Sequence, residues 1–150
     1  MKKLLFLVFI YSCAPTNQTT TNTATSFEKI VEVNDQTKDE LFTSINTWLA
    51  KTFVSSENVI EYSDKEAGKV IGHIVFEGYD VLLGTWYGKS TIEIDVKENK
   101  CRFQLNNPRF RYHGATNYRV ATGKKLSKFN EDWERVYLLF KEGIEKKEDW

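Results

Sequence analysis

The residue best suited to chemistry near the start of the chain is a thiol that follows a charged and then an apolar segment. Lys2 and Lys3 precede the apolar run Leu4 to Tyr11, and Cys13 follows almost at once. This order is typical of an export signal, and the run is far shorter than the roughly 20 residues that span a bilayer. The four residues that end at Cys13 are similar to a bacterial lipobox, in which the thiol is acylated. The sequence therefore predicts a signal peptide at residues 1–12 and lipidation of Cys13.

The residues after Cys13 are rich in threonine and carry neither charge nor a large apolar side chain. Such a segment cannot bury enough apolar surface to offset its ordering entropy. It predicts a flexible, lipidated tether at residues 13–26 and a membrane contact through the lipid anchor. The absence of an acidic run after Cys13 favours the periplasmic side of the outer membrane, by comparison with similar lipoproteins. The alternatives are an ordinary secreted protein that is cut nearby and a protein that keeps an uncleaved N-terminal stub.

A second chemical feature is a wholly cationic segment that also contains aromatic residues. From Asn99 to Lys128 the chain has eight basic and no acidic residues. Within it, Pro108 to Gly114 alternates aromatic residues with arginines, a pattern able to stack against sugars, a peptide or a protein. With Tyr118 and two aromatic residues from further upstream, it predicts a patch for an envelope protein or a glycan. The candidate patch residues are Trp86, Tyr87, Arg109, Arg111, Tyr112 and His113.

A simpler interpretation of the same pattern is an edge strand in which Phe110 and Tyr112 point inward. The cations would then balance acidic helices and blunt exposed strand edges. An anionic lipid or polysaccharide surface is the functional alternative. We expect no nucleic-acid partner, because an exported domain rarely meets DNA and the mature chain has a slightly negative net charge.

Catalytic patterns are missing from the sequence. His73 lies in an apolar run and is predicted to be a core residue, and His113 has no carboxylate near it in sequence. Cys101 has no disulfide partner once Cys13 is acylated, and we expect it to be a small buried hydrophobe. The Gly-x-Ser-x-Gly motif of a nucleophile elbow is absent. We therefore expect no enzymatic activity, no cofactor and no metal site.

An α+β scaffold must position these residues, because the pattern of residues 27–150 predicts the order β-α-β-β-β-β-α in one domain. Thr37 and Glu40 form a capping-box signature at the start of the first helix. Ser127 is the predicted cap of the second helix. Both helices are amphipathic, so we expect them to pack on one face of a curved antiparallel sheet and to leave the other face partly open.

The clearest hairpin predicted is Ser90 to Asn106, in which Val96 faces Cys101 and Asp95 faces Arg102. Two stretches that flank it are predicted to be irregular. Gly84 to Gly88 is predicted to be a glycine-flanked loop or bulge. Residues 107–125 are predicted to be an irregular segment that begins where Pro108 interrupts the strand.

Six segments of the predicted domain carry a resemblance to a known family: Lys29–Val33, Lys38–Phe42, Trp48–Phe53, Val59–Tyr62, Gly68–Gly72 and the hairpin Ile92–Phe103. In these segments the chain resembles a family of Bacteroidota lipoproteins that contain a domain of unknown function with a TATA-binding-protein-like (TBP-like) fold. The resemblance covers nearly the whole predicted domain and implies that fold, but it brings no catalytic residue or ligand.

Overall fold

The structure is a computed structural model that describes residues 25–53 and 60–145. The predicted signal peptide, Cys13 and almost all of the predicted tether lie outside the described residues. The described elements are β1 (Ser26–Glu32), α1 (Lys38–Thr52), β2 (Ile60–Asp64), β3 (Lys69–Asp80), β4 (Gly84–Lys97), β5 (Lys100–Tyr112), β6 (Arg119–Val120) and α2 (Gly123–Glu145). The predicted α+β class and order are confirmed, with one short strand added.

The strands form one antiparallel sheet in the order β1-β5-β4-β3-β2, with β6 paired to β5. The predicted register of the β4–β5 hairpin is confirmed: Val96 faces Cys101 and Asp95 faces Arg102. The added strand β6 lies within the segment that was expected to be irregular. It pairs with β5, and the amide of the following residue, Ala121, donates to the carbonyl of Pro108 at 2.9 Å.

The start of α1 follows a local capping signal, whereas α2 begins earlier than predicted. At α1 the Thr37 side chain accepts from the Glu40 amide while the Glu40 carboxylate accepts from the Thr37 amide, which is the predicted capping box. The prediction that Ser127 caps α2 is wrong, because the helix begins at Gly123. The Thr122 carbonyl accepts from the Leu126 amide and Leu126 is buried, so packing extends α2 by one further turn.

The core lies between the two helices and one face of the sheet. Aromatic residues fill much of it, because alternate strand residues and the apolar stripes of the helices meet there. The largest fully buried side chains include Trp86, Phe103, Phe129, Trp133 and Phe140. The opposite face of the sheet carries no helix among the described residues. No helix within residues 25–53 and 60–145 is both long and apolar enough to cross a membrane.

A β-bulge carries β5 past Pro108, so the prediction that this proline interrupts the strand is wrong. Lys89 pairs with Arg109 and Thr91 with Asn106, so two residues of β5 face the single residue Ser90. The extra residue lies where a proline, which has no amide to donate, is tolerated. Asn107 has φ +53°, a conformation that asparagine adopts more readily than most residues.

The prediction of a loop from Gly84 to Gly88 is also wrong, since these residues begin β4. Glycine is needed at position 88 because an aromatic ring lies against its backbone. A Cβ atom on Gly88 would lie 2.3 Å from Phe76 Cε2, and one on Gly78 would lie 2.3 Å from Trp86 Cζ2. Close packing of rings, and not a turn, therefore explains Gly88.

A basic aromatic surface on the open sheet face

One end of the helix-free face is electrically balanced. Lys69 forms ion pairs with Glu93 and, at 3.1 Å, with Asp95, and Arg102 lies 2.5 Å from the same Asp95 carboxylate. Hydrogen bonding to Glu93 raises the pKa of Lys69. Burial would raise the pKa of Asp95, but the hydrogen bonds from Arg102 and Lys69 outweigh it and hold that pKa below its usual value. This network stabilises the sheet, and each of its four charged groups has a partner of opposite sign.

The other end of the same face is cationic. Across β4 and β5, Lys89 pairs with Arg109 and Tyr87 pairs with Arg111. No carboxylate of residues 25–53 or 60–145 forms an ion pair with Lys89 or Arg109. Glu77 of β3, opposite Tyr87, is an acidic residue beside this group. We call this end the basic aromatic surface and define it as Tyr87, Lys89, Arg109, Arg111, His113 and Tyr118.

Arg111 is held between two aromatic rings of this surface. Its guanidinium carbon lies 4.9 Å from the centre of the Tyr87 ring and 5.3 Å from that of Tyr118. Its Nη1 donates to the carbonyl of Ala115 at 3.2 Å, and the Tyr87 hydroxyl lies 3.3 Å from His113 Nδ1. A guanidinium stacked in this way keeps a defined orientation, and its planar fork of donors matches carboxylate and phosphate groups.

A shallow depression of about 230 Å³ lies within this surface, beside Arg109 and Tyr118. It is smaller than the pockets that hold drug-sized ligands, which are roughly 300–1,000 Å³. Its size suits one sugar ring or one anionic group, and its lining contains two cations and no carboxylate. The lining residues are His73, Lys89, Ser90, Thr91, Asn107, Arg109 and Tyr118.

The prediction that His73 is a core residue is wrong. Its ring lies on the open face, where Nε2 is 2.9 Å from a carboxylate oxygen of Glu61. The strand around it is apolar on both alternations, and the sequence therefore hid which side faces the helices. Nδ1 of His73 is buried and has no hydrogen-bond partner among the described residues. Within residues 25–53 and 60–145, no group of three or more His, Cys, Asp or Glu side chains is arranged to hold a metal ion.

Two residues of the predicted patch lie inside the protein. Trp86 is only 2% exposed and packs against Phe76 and Phe129 on the helix side of the sheet. Tyr112 pairs with Trp86 and packs against the core on that same side. The physical reason is the period of two along a strand, which sends neighbouring residues to opposite faces. No pocket combining Trp86, Tyr112 and Arg111 can therefore form.

The simpler interpretation of the arginine-aromatic alternation is thus confirmed for Phe110 and Tyr112, which point inward. This part of β5 is not an edge, however, because β6 covers it at Arg109 and Phe110. Four of the predicted patch residues do come together on the open side: Tyr87, Arg109, Arg111 and His113. Sequence reasoning missed Lys89, although its position two residues after Tyr87 in a strand would have shown that they share a face.

Comparison with known proteins identifies the family of this chain. The model of the domain of unknown function DUF4468, with a TBP-like fold, matches residues 27–111. The chain belongs to this family. The domain of unknown function and the TBP-like fold implied by the sequence resemblance are therefore confirmed, whereas lipidation stays a prediction; the family description states no function. The DUF4468 match includes Tyr87, Lys89, Arg109 and Arg111, whereas His113 and Tyr118 follow its end.

Two solved structures share the fold of this DUF4468 domain. A DUF4468 family protein from Bacteroides ovatus has a TM-score of 0.65 and 15% identity, over 86% of this chain and 91% of that chain. A TBP-like protein from Parabacteroides distasonis has a TM-score of 0.66 and 16% identity, over 85% of this chain and 96% of that chain. Identities this low show the fold alone. No curated protein matches the chain.

Proposed function

We propose that this protein is a lipid-anchored, non-catalytic binding module of the cell envelope that holds an anionic envelope protein on its basic aromatic surface. The observation that carries the proposal is the stacked guanidinium of Arg111 beside Lys89 and Arg109. The two neighbours have no acidic partner among the described residues. Cations grouped in this way attract an anionic partner and orient it during encounter.

The location is supported by the start of the sequence. The export signal, the lipobox-like residues and the threonine-rich tether support acylation of Cys13 and a place at the periplasmic side of the outer membrane.

The chemical groups on the basic aromatic surface suit ligand binding more than catalysis. Guanidinium and ammonium groups supply charge and N–H donors, while the phenol rings supply stacking area at low entropic cost.

The decisive experiment is crosslinking and affinity capture of the acylated protein from its own membranes. It compares wild type with Arg109→Glu/Arg111→Glu and with the control Lys97→Glu/Lys100→Glu. The control makes the same change in charge at the far end of β4 and β5, where those two lysines are paired across the hairpin. We expect wild type and control to retain one specific protein that the arginine variant loses. Equal recovery by all three proteins would refute the role of the surface.

The depression favours a second candidate, an accessory domain that binds a small anionic or carbohydrate ligand. Two of its lining cations, Lys89 and Arg109, could neutralise one carboxylate or phosphate group. Titration with glucuronate and with inorganic phosphate, followed by NMR of the Thr91 and Tyr118 signals, tests this directly. Saturable shifts that Lys89→Ala abolishes would favour the ligand; unchanged spectra together with protein capture would favour the first proposal.

A further inference from the structure

The turn between β3 and β4 exposes a compact group of apolar side chains. Val81 is 87% exposed, Leu82 91% and Leu83 62%, and Tyr79 beside them is 74% exposed. Single exposed apolar residues are ordinary on a soluble protein, but a contiguous group at a protruding turn marks a contact site. We call Val81, Leu82 and Leu83 the apolar tip.

Hydrogen bonds hold the apolar tip in its presented shape. The amides of Leu82 and Leu83 donate to Oδ1 of Asp80 at 3.1 and 3.3 Å. The other carboxylate oxygen of Asp80 lies 3.4 Å from the Lys125 ammonium at the start of α2. That ammonium also lies 4.3 Å from the centre of the buried Trp86 ring. The turn is therefore fastened to the core, and its aliphatic side chains point away from the protein.

The end of the sheet that bears the apolar tip is also rich in cations. Pairing of Trp86 with Tyr112 brings the end of β5 beside the start of β4, next to the tip. At this end the exposed Lys124 lies beside Lys125 at the start of α2. An apolar tip with cations set behind it matches a bilayer, because apolar side chains enter the acyl region while cations meet anionic headgroups.

The direction of β1 brings the predicted anchor to the same end. Ser26 pairs with Asn106 and Glu32 with Lys100, so the chain enters β1 from the side towards which β5 runs. From Asn106 to Tyr112, β5 spans about 20 Å at its usual rise per residue. The residues between Cys13 and Ser26 can extend to about 40 Å. A bilayer that holds acyl chains on Cys13 is therefore within reach of the apolar tip.

We propose that the apolar tip inserts into the anionic leaflet that holds the acyl chains of Cys13, so that the strands stand end-on to the membrane. The open face is then free to bind its partner. The inference rests on the lipid anchor of the proposed function, and it adds a second, weaker membrane contact that sets the orientation of the domain. Two membrane contacts on one domain act cooperatively, because the anchor raises the effective concentration of the tip.

The first test places an environment-sensitive NBD label at Leu82→Cys in the acylated protein. The native thiol of Cys101 does not compete, because it is buried and burial raises its pKa to about 12. Lys97→Cys, at the last residue of β4 and so at the other end of that strand, is the control site. In vesicles of phosphatidylethanolamine and phosphatidylglycerol we expect blue-shifted emission and quenching by lipid-borne nitroxide at position 82 alone. Identical, water-like emission at both positions would overturn the proposal.

A second test separates the tip from the anchor by using the mature chain with Cys13→Ser. We expect Val81→Asp/Leu82→Asp to lower its partition onto the same vesicles by about tenfold or more. Leu138→Asp/Leu139→Asp, which changes two exposed apolar residues of α2, is the matched control and should leave partition unchanged. Equal partition of the tip variant and wild type would overturn the proposal.

The outcomes also distinguish the tip from the proposed function. If mass spectrometry of the membrane-extracted protein finds Cys13 without acyl chains, the lipid anchor is refuted. Binding of the Cys13→Ser chain to vesicles would still support membrane insertion of the apolar tip. A blue shift of the label at position 82 in native membranes, with water-like emission in vesicles, would mean that a protein covers the apolar tip. That result would overturn membrane insertion.

Discussion

The indole N–H of Trp133 donates to the hydroxyl of Ser90 at 2.8 Å, and both groups are completely buried. This hydrogen bond joins α2 to β4 at the residue that faces the bulge of β5. Ser90 also lines the depression on the other side of the sheet. A contact in the core thus supports the backbone from which Lys89 and Arg109 project.

Ser90→Ala should destabilise the protein because it leaves a buried indole N–H without an acceptor. We expect a loss of about 1–3 kcal/mol in the free energy of unfolding, measured by urea denaturation. Ser127→Ala is the control, because its hydroxyl is exposed and bonded only within α2. A change at Ser90 no larger than that at Ser127 would show that the indole finds another partner.

Gly143→Ala should also destabilise the protein, although alanine is the better helix former. Helix propensity alone would stabilise α2 by about 1 kcal/mol. A Cβ atom at Gly143 would, however, lie 2.2 Å from Cδ1 of Trp48, in the contact between the two helices. We expect a net loss of about 1–3 kcal/mol by thermal or urea denaturation. The exposed position Glu134→Ala is the control, and a stabilising effect of Gly143→Ala would contradict the packing argument.

Asp95→Asn should reduce stability at neutral pH and change the response to acid. The folded-state pKa of Asp95 lies below its unfolded value, so its carboxylate contributes stability above the unfolded pKa and loses it as pH falls through the folded pKa. We expect a deficit of about 1 kcal/mol at pH 7, given the partly exposed Arg102 partner. The difference from wild type should shrink below about pH 4. Urea denaturation over a pH series measures this difference in the free energy of unfolding. A difference that stays constant with pH would refute the lowered pKa of Asp95.

Tyr87→Ala should weaken binding to the captured partner more than Tyr87→Phe does. The phenylalanine ring keeps the stacking on Arg111 and removes only the hydroxyl near His113. The alanine variant loses one face of the stacked arginine, and we expect about threefold weaker binding in a concentration series. Equal weakening by both variants would assign the effect to the hydroxyl. Unchanged binding by both variants would show that Tyr87 does not contribute to the binding site.

Much of the scaffold could be predicted from local patterns. The capping box of Thr37 and Glu40 marked the start of α1, because both groups that make it lie within one helical turn. The β4–β5 hairpin register could be predicted because the pairing of Asp95 with Arg102 agrees with the apolar alternation. The start of β4 at Gly84 could not be predicted, since the nearby Gly88 marks close packing against Phe76 of another strand and not a turn.

The membership of the surface depended on contacts between distant parts of the chain. The sequence alone determined the α+β order of the main elements, the fold family and the cationic, aromatic composition of the segment after Asn99. Only the tertiary structure decided that Tyr87 and Arg111 share the open face while Trp86 lies in the core and the partly buried Tyr112 packs against it. Side chains alternate with a period of two, so the extra residue of the bulge before Arg109 reverses every face after it. Such a bulge is set by pairing with another strand, which no local pattern records.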